Sequence, residues 1–408
     1  MNLIGPFAQI MTMDGLPAKG AIKDEQLNII DQGGILVHDG MVVKVGHFDE
    51  LRKSAANARI EEVPSGMVAF PGFIDCHTHI CFAGSRARDF AARNNGKTYQ
   101  EIAAAGGGIW DTVTKTREAS HETLKSNTYQ RLDALLQRGI TTVEIKSGYG
   151  LGLEEELKLL KVIKSAAETH QADVVSTCLA AHIIPREFAS ETEYLDFILK
   201  ELEPVIRREQ LTQRFDIFIE ENAFSARASL PYLQALRKQG YNLTVHGDQF
   251  TAGGSEVAIA SGAVSVDHLE ASGETEVAAL AKSETIPVVL PGASIGLGLP
   301  FSPARRLLDA GCALAIASDW NPGSAPQGSL LTQAAILGTY EKLSAAEVFA
   351  GITFRAAKAL NLSDRGVLKE AMLADITAFH ISDYREVLYH QGEMQPNCTW
   401  KGGRKIHE

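Results

Sequence analysis

Cysteine is scarce in this chain. The five residues, Cys76, Cys81, Cys178, Cys312 and Cys398, are odd in number and show no CxxC spacing. A disulfide framework is thereby excluded, and reduced thiols suit a reducing compartment. No apolar run approaches the roughly 18 residues that a membrane span needs, and the first basic residue is Lys19. Neither a transmembrane helix nor a signal peptide is expected, which points to the cytoplasm. Basic side chains are in deficit, 39 against 50 acidic ones, for a formal charge of −11. That balance argues against nucleic acid or an anionic membrane as partner. Internal repeats and low-complexity segments are absent. Gly106-Gly107-Gly108 lacks the G-x-G-x-x-G form of a phosphate cradle and reads as a flexible loop.

The chain has 408 residues, 45% hydrophobic, 22% charged and 7% aromatic, an ordinary globular composition. At roughly 150 residues per domain, this length suits two to three domains or one large barrel with an attachment. The first 66 residues read as short strands, with Asp39-Gly40 as a hairpin turn between β-branched runs. From Phe70 onward, apolar runs alternate with helical stretches. The runs are 71–77, 140–146, 174–181, 215–219, 242–247, 264–268, 286–290 and 312–318. Eight such runs in about 250 residues match a (β/α)8 barrel. Glu154–Glu168 places Leu157, Leu160 and Ile163 on one helical face, and a second helix is expected over Ser329–Thr339. After Lys358 the β texture returns around Ala374–Phe379 and Gly402–Arg404. The expected architecture is an α/β barrel over 67–359 with a small β-sandwich built from both chain ends, 1–66 plus 360–408.

The barrel strands end in residues foreign to a core. His77 and His79 lie two apart at the end of the first run and so share a face. His246 closes the fifth run, His268 the sixth and Asp319 the eighth. Active sites of such barrels sit at C-terminal strand ends. Three imidazoles and a carboxylate suit Zn²⁺ or iron, with an open position for water.

The run PGFIDCHTH, followed by His246, His268 and Asp319, resembles the amidohydrolase superfamily, whose members hydrolyse C–N bonds with metal-activated water. The resemblance spans essentially the whole chain. More narrowly, CHTHICFAGSRARDF, EIKSGYGL, AAHIIP, HGDQF and SDWNPGS are similar to the imidazolonepropionase family, which opens the imidazolone ring in histidine degradation. The resemblance implies hydrolysis of the lactam C–N bond of 4-imidazolone-5-propanoate to N-formimidoyl-L-glutamate. It also implies a small anionic substrate as partner, and a homodimer. The bare His-x-His is shared with other amidohydrolases, such as deaminases of cyclic amidines or nucleobases, which form the alternative. A non-catalytic assembly protein on this fold would have lost its ligands, and here the set is complete.

The same resemblance distributes roles. Binuclear members bridge two metals through a carboxylated Lys or a Glu on the fourth strand. The fourth run here offers no Lys, and Lys146, ending the second, reads as an ordinary polar strand-end residue. One metal per chain, Zn²⁺ or Fe³⁺, is therefore expected on His77, His79, His246 and Asp319. Asp319 and His268 are the expected catalytic pair. Asp319 moves the proton, while His268 orients water or stabilises the oxyanion. Arg86 matches the family residue that meets the substrate carboxylate. Tyr99 and Tyr149 are expected to donate hydroxyls to that carboxylate, and His182 to contact the imidazolone. Gln249, an amide, can hydrogen-bond the ring but cannot act as a base. Asn321, Gly323 and Ser324 are expected to hold the glutamate end. Cys76 and Cys81 read as packing residues.

Overall fold

A computed structural model describes residues 1–221 and 223–407, without the side chains at 99, 100, 103 and 407. The chain opens with β1 (Asn2–Met11), β2 (Ile29–His38), β3 (Met41–His47), β4 (Arg59–Glu62) and β5 (Met67–Pro71). Eight strands alternating with helices follow: β6 (Phe73–Asp75), β7 (Ile140–Lys146), β8 (Asp173–Ala181), β9 (Arg214–Ile217), β10 (Asn242–Gly247), β11 (Ser265–His268), β12 (Ile286–Val289) and β13 (Ala315–Ile316). The chain closes with β14 (Ile376–His380), β15 (Cys398–Lys401) and β16 (Arg404–His407).

The two chain ends build one continuous sheet of order β16-β15-β14-β5-β1-β2-β3, with β4 paired to β1. Asp39 (φ 47°) and Gly40 (φ 80°) both adopt the left-handed conformation that a two-residue hairpin turn demands between β2 and β3. Strands β6 to β13 pair in chain order into the barrel sheet. The ring closes where Thr78 bridges Trp320 in parallel, with Asp319 N donating to His77 O at 3.0 Å and His79 N to Trp320 O at 2.9 Å. The backbone carrying His77, His79 and Asp319 is thus itself the barrel seam.

The run expected as one strand over 71–77 is split. Pro71 ends a strand of the end-built sheet, pairing with Ile376, and the barrel begins at Phe73. Gly72 N donates to Asp375 O and Phe73 N to Gly139 O, both at 2.9 Å. A Cβ on Gly72 would lie 2.3 Å from Thr141 Oγ1, so only glycine lets the chain cross between sheets here. Aromatic packing seals this seam: Phe70 meets Phe349 at 4.7 Å and Phe379 at 5.8 Å between ring centroids. The helix Leu153–Thr169 buries Leu157, Leu160 and Ile163 against the barrel as its periodicity predicts. The second expected helix forms over Leu330–Glu341. Among the described residues no helix is long and apolar enough to cross a membrane.

Candidate metal centre and substrate cavity

Barrel strand ends deliver three imidazoles to one point. His77 and His79 continue the extended chain beyond β6, and His246 lies in β10. His79 Nε2 stands 3.2 Å from His77 Nε2 and 3.3 Å from His246 Nε2. Asp319, just beyond β13, places Oδ1 3.5 Å from His77 Nε2 and 3.4 Å from His79 Nε2. All four side chains are buried. Nitrogen lone pairs this close repel unless a cation or a proton lies between them. Bonds of about 2.0–2.1 Å in a tetrahedral N/O site put its ligand atoms about 3.3 Å apart. The spacing seen here therefore fits a metal.

A buried charge network backs these ligands. His77 Nδ1–H donates to Asp267 Oδ2 at 2.6 Å. Asp216 Oδ2 lies 2.9 Å from His246 Nδ1, an electrostatic contact more than a linear hydrogen bond. Both carboxylates hold the proton on Nδ1 and leave Nε2 free to ligate. The expectation for Lys146 is corrected here. It is fully buried, with Nζ 2.9 Å from both Glu144 Oε1 and Asp216 Oδ2 and 3.8 Å from Asp267 Oδ2. Three carboxylates around one ammonium offset the cost of burying each charge. Glu144 and Lys146 sit two apart on β7, hence on one face.

The field of this network sets the protonation of the ligands. Burial and the Lys146 ammonium push His77 down, but its hydrogen bonds to Asp267 and Asp319 outweigh both and raise it to about 9. Burial lowers His79 to about 3 and holds His246 well below the usual imidazole range. For Asp319, burial is overcome by hydrogen bonds from His77 and His79, and the carboxyl stays ionised far below its ordinary value. Metal-free protein thus carries a proton on His77 at pH 7 that a metal must displace. We expect about one proton released per metal bound at pH 7, and apparent affinity rising about tenfold per pH unit until it levels near pH 9. Calorimetric titration in buffers of different ionisation enthalpy counts the protons, and a count of zero contradicts the assignment.

Backbone strain marks the same place. His268 (φ 92°), Leu269 (φ 74°) and Asp319 (φ 52°) all occupy the left-handed region. Such non-glycine residues cost about 1–3 kcal/mol each and persist where the surrounding structure aims a side chain. His268 is not among the three imidazoles whose ligand atoms lie within 4.8 Å of one another, although its ring centroid is 5.3 Å from that of His246 and 5.9 Å from that of His77. Its Nδ1 lies 3.4 Å from Glu270 Oε2.

Above the triad a cavity of about 190 Å³ gathers most of the sequence-predicted residues. His79, His246, His268 and Asp319 line it, whereas His77 is fully buried and does not. Tyr149 and His182 line one side. Burial pushes the Tyr149 phenol up, so it remains a hydrogen-bond donor. His182 Nδ1–H donates to Gly148 O at 3.0 Å, and burial lowers the ring to about 4, which leaves a neutral Nε2 as acceptor. Arg86, Asn321, Gly323 and Ser324 line the cavity too, and Gln249 faces it from the loop after β10. Glu220 shapes that loop by accepting from Phe250 N and Thr251 N at 2.7 and 3.1 Å.

The Asn321 side chain is committed to its own loop. Its Oδ1 accepts from Gly323 N and Ser324 N, and its Nδ2 donates to Asp319 O and Ser324 Oγ. A Cβ on Gly323 would lie 2.4 Å from Arg86 Nη1, so glycine there lets the guanidinium approach. Tyr99 begins a short helix, Tyr99–Ala104, but its side chain lies outside the described residues. Cys76 and Cys81 are free and buried, as packing residues should be.

The family model described as Amidohydrolase family matches residues 68–406. The imidazolonepropionase of Bdellovibrio bacteriovorus is 38% identical over 99% of this chain and 96% of its own. That of Deinococcus deserti is 38% identical over 99% of both chains. The chain belongs to the imidazolonepropionase family of amidohydrolases. Solved structures share this family's fold at low identity. A mutant atrazine chlorohydrolase from Arthrobacter aurescens, complexed with zinc and atraton, superposes with a TM-score of 0.73 at 16% identity, over 100% of this chain and 95% of its own. An adenosine deaminase from Xanthomonas campestris with bound zinc gives 0.70 at 18%, over 100% and 92%.

For this imidazolonepropionase-family chain, sequence reasoning missed Asp216, Asp267 and Glu144, which support the ligands, and Arg93, which lines the cavity. A signal existed for the first two, since each is a lone acid inside an otherwise apolar run. Arg93 gives no such signal among surface-type residues.

Proposed function

We propose that the chain hydrolyses the lactam C–N bond of 4-imidazolone-5-propanoate to N-formimidoyl-L-glutamate. One observation carries the reading: a cation-accepting triad and a guanidinium face one cavity sized for a small ring with an anionic tail. A single metal, zinc or ferric iron, held by His77, His79, His246 and Asp319, supplies Lewis acidity that activates water and polarises the ring carbonyl. Asp319 takes a proton from the attacking water. The water oxygen bonds to the carbonyl carbon, the ring C–N bond breaks with its electron pair going to nitrogen, and Asp319 passes the proton to that nitrogen.

Ser324 Oγ, 3.4 Å from Asp319 Oδ2, steadies the carboxylate. His268 orients the water and donates to the oxyanion as it forms. His182 Nε2 accepts from a ring N–H, and Gln249 hydrogen-bonds the ring without acting as a base. Arg86 takes the propanoate, with Tyr149 as hydroxyl donor. The buried thiols of Cys76, Cys81, Cys178 and Cys312, none of them in a disulfide, support residence in the reducing cytoplasm.

His268→Ala is expected to keep the metal and lower kcat by roughly 10²- to 10⁴-fold, the usual worth of a positioned acid–base group. Elemental analysis beside steady-state rates checks this, and unchanged turnover removes His268 from the chemistry. The reading as a whole is tested by the ultraviolet decay of freshly generated 4-imidazolone-5-propanoate. Rapid loss that vanishes on chelation and returns with added metal supports it. Loss at only the spontaneous rate, in protein shown to hold metal, rejects it.

A further inference from the structure

Arg86 does not face the cavity alone. It precedes the helix Ala87–Asn94, and Arg93 follows seven residues later, two turns along the same face. Both residues line the catalytic cavity. Asp89 lies between them on that face, and its Oδ2 accepts from Arg86 Nε at 2.8 Å and from Gly108 N at 2.8 Å. The glycine run at 106–108 thereby closes onto the helix. A Cβ on Gly107 would sit 2.4 Å from Asp89 Oδ1, so glycine is needed for that closure.

Charge accounting exposes what Arg86 lacks. Paired with Asp89 it forms a neutral unit, with little net attraction for a carboxylate. Arg93 restores a net charge of one, matching one substrate carboxylate. Its Nη2 is shut off from solvent and has no hydrogen-bond partner among the described residues. A buried donor left unpaired costs free energy that an incoming acceptor recovers.

We propose that Arg93 is a specificity-determining residue that takes the substrate carboxylate jointly with Arg86, with Asp89 as the positioning residue that fixes the Arg86 fork. This rests on the function proposed above and narrows it to substrates with an anionic side chain on the ring. Arg93 also borders the adjoining groove lined by Phe90, Ile295 and Leu297.

The test compares the metal-loaded parent with Arg93→Gln and Arg93→Lys on 4-imidazolone-5-propanoate and on its neutral propanamide. For Arg93→Gln we expect KM for the carboxylate to rise roughly 10- to 100-fold, the worth of one charge-assisted hydrogen bond, with kcat within about twofold. KM for the propanamide should stay put, and Arg93→Lys should recover part of the loss. Binding of the unreactive imidazole-4-propanoate to each protein should weaken in parallel. An unchanged KM for the carboxylate, or a KM that rises equally for both substrates, overturns the proposal while the parent's activity leaves the function standing. A parent inactive on both substrates overturns the function itself, and the role given to Arg93 falls with it.

Discussion

Asp319→Ala is expected to lose its metal and at least about 10³-fold in kcat/KM together, because one side chain serves two ends. Its Oδ1 lies 3.4–3.5 Å from the Nε2 atoms of His77 and His79. Without it the three remaining donors are neutral imidazoles, and the proton carrier of the proposed reaction is gone. Asp319→Asn keeps the shape and separates the roles. It should bind metal more weakly and remain inactive at saturating metal, since an amide cannot accept the proton. Metal content by elemental analysis and rates at several metal concentrations are the measurements. An Asp319→Asn protein that recovers full turnover when saturated would remove Asp319 from proton transfer.

Lys146→Met should be strongly destabilising although the residue lies outside the cavity lining. The substitution leaves Glu144, Asp216 and Asp267 buried around an uncharged methionine. Removing one member of a buried ion network costs about 3–5 kcal/mol, because the remaining charges are left uncompensated. The sign with pH is fixed by the carboxylates. Burial raises Asp267, but His77 and Lys146 outweigh it and hold the folded value at about 2, and Asp216 is likewise held low by His246 and Lys146. Carboxyls depressed in the folded state contribute stability above their unfolded value of about 3.9, and lose it as pH falls through the folded value. The deficit of Lys146→Met is therefore largest near neutrality and narrows below about pH 4 as the carboxyls protonate. Urea midpoints across that range report it. Equal midpoints at pH 7 would mean that the network contributes nothing to stability.

The reach of sequence reasoning followed the range of the interactions involved. Strands β7 and β10 run over 140–146 and 242–247, as their apolar runs indicate, and all eight barrel strands occur in the expected order. The break at Gly72 was invisible, because the groups that decide it, Asp375 O and Gly139 O, come from distant parts of the chain. Helix periodicity over 153–169 and the Asp39-Gly40 turn are local, and both were legible.

By itself the sequence determined which histidines and which aspartate meet at one end of the barrel. A strand period of two puts His77 and His79 on one face, and strand ends present His246, His268 and Asp319 at the active rim of a barrel. What only the tertiary structure decided is how those groups are charged and supported. Closure of the ring brings Asp267 to His77 and Asp216 to His246, leaves His268 outside the triad, and turns Lys146 from a strand-end polar residue into the buried cation among three acids. Pairing between residues as far apart as 77 and 267 depends on barrel closure, which no local period encodes, and Coulomb energies in a buried site depend on that pairing.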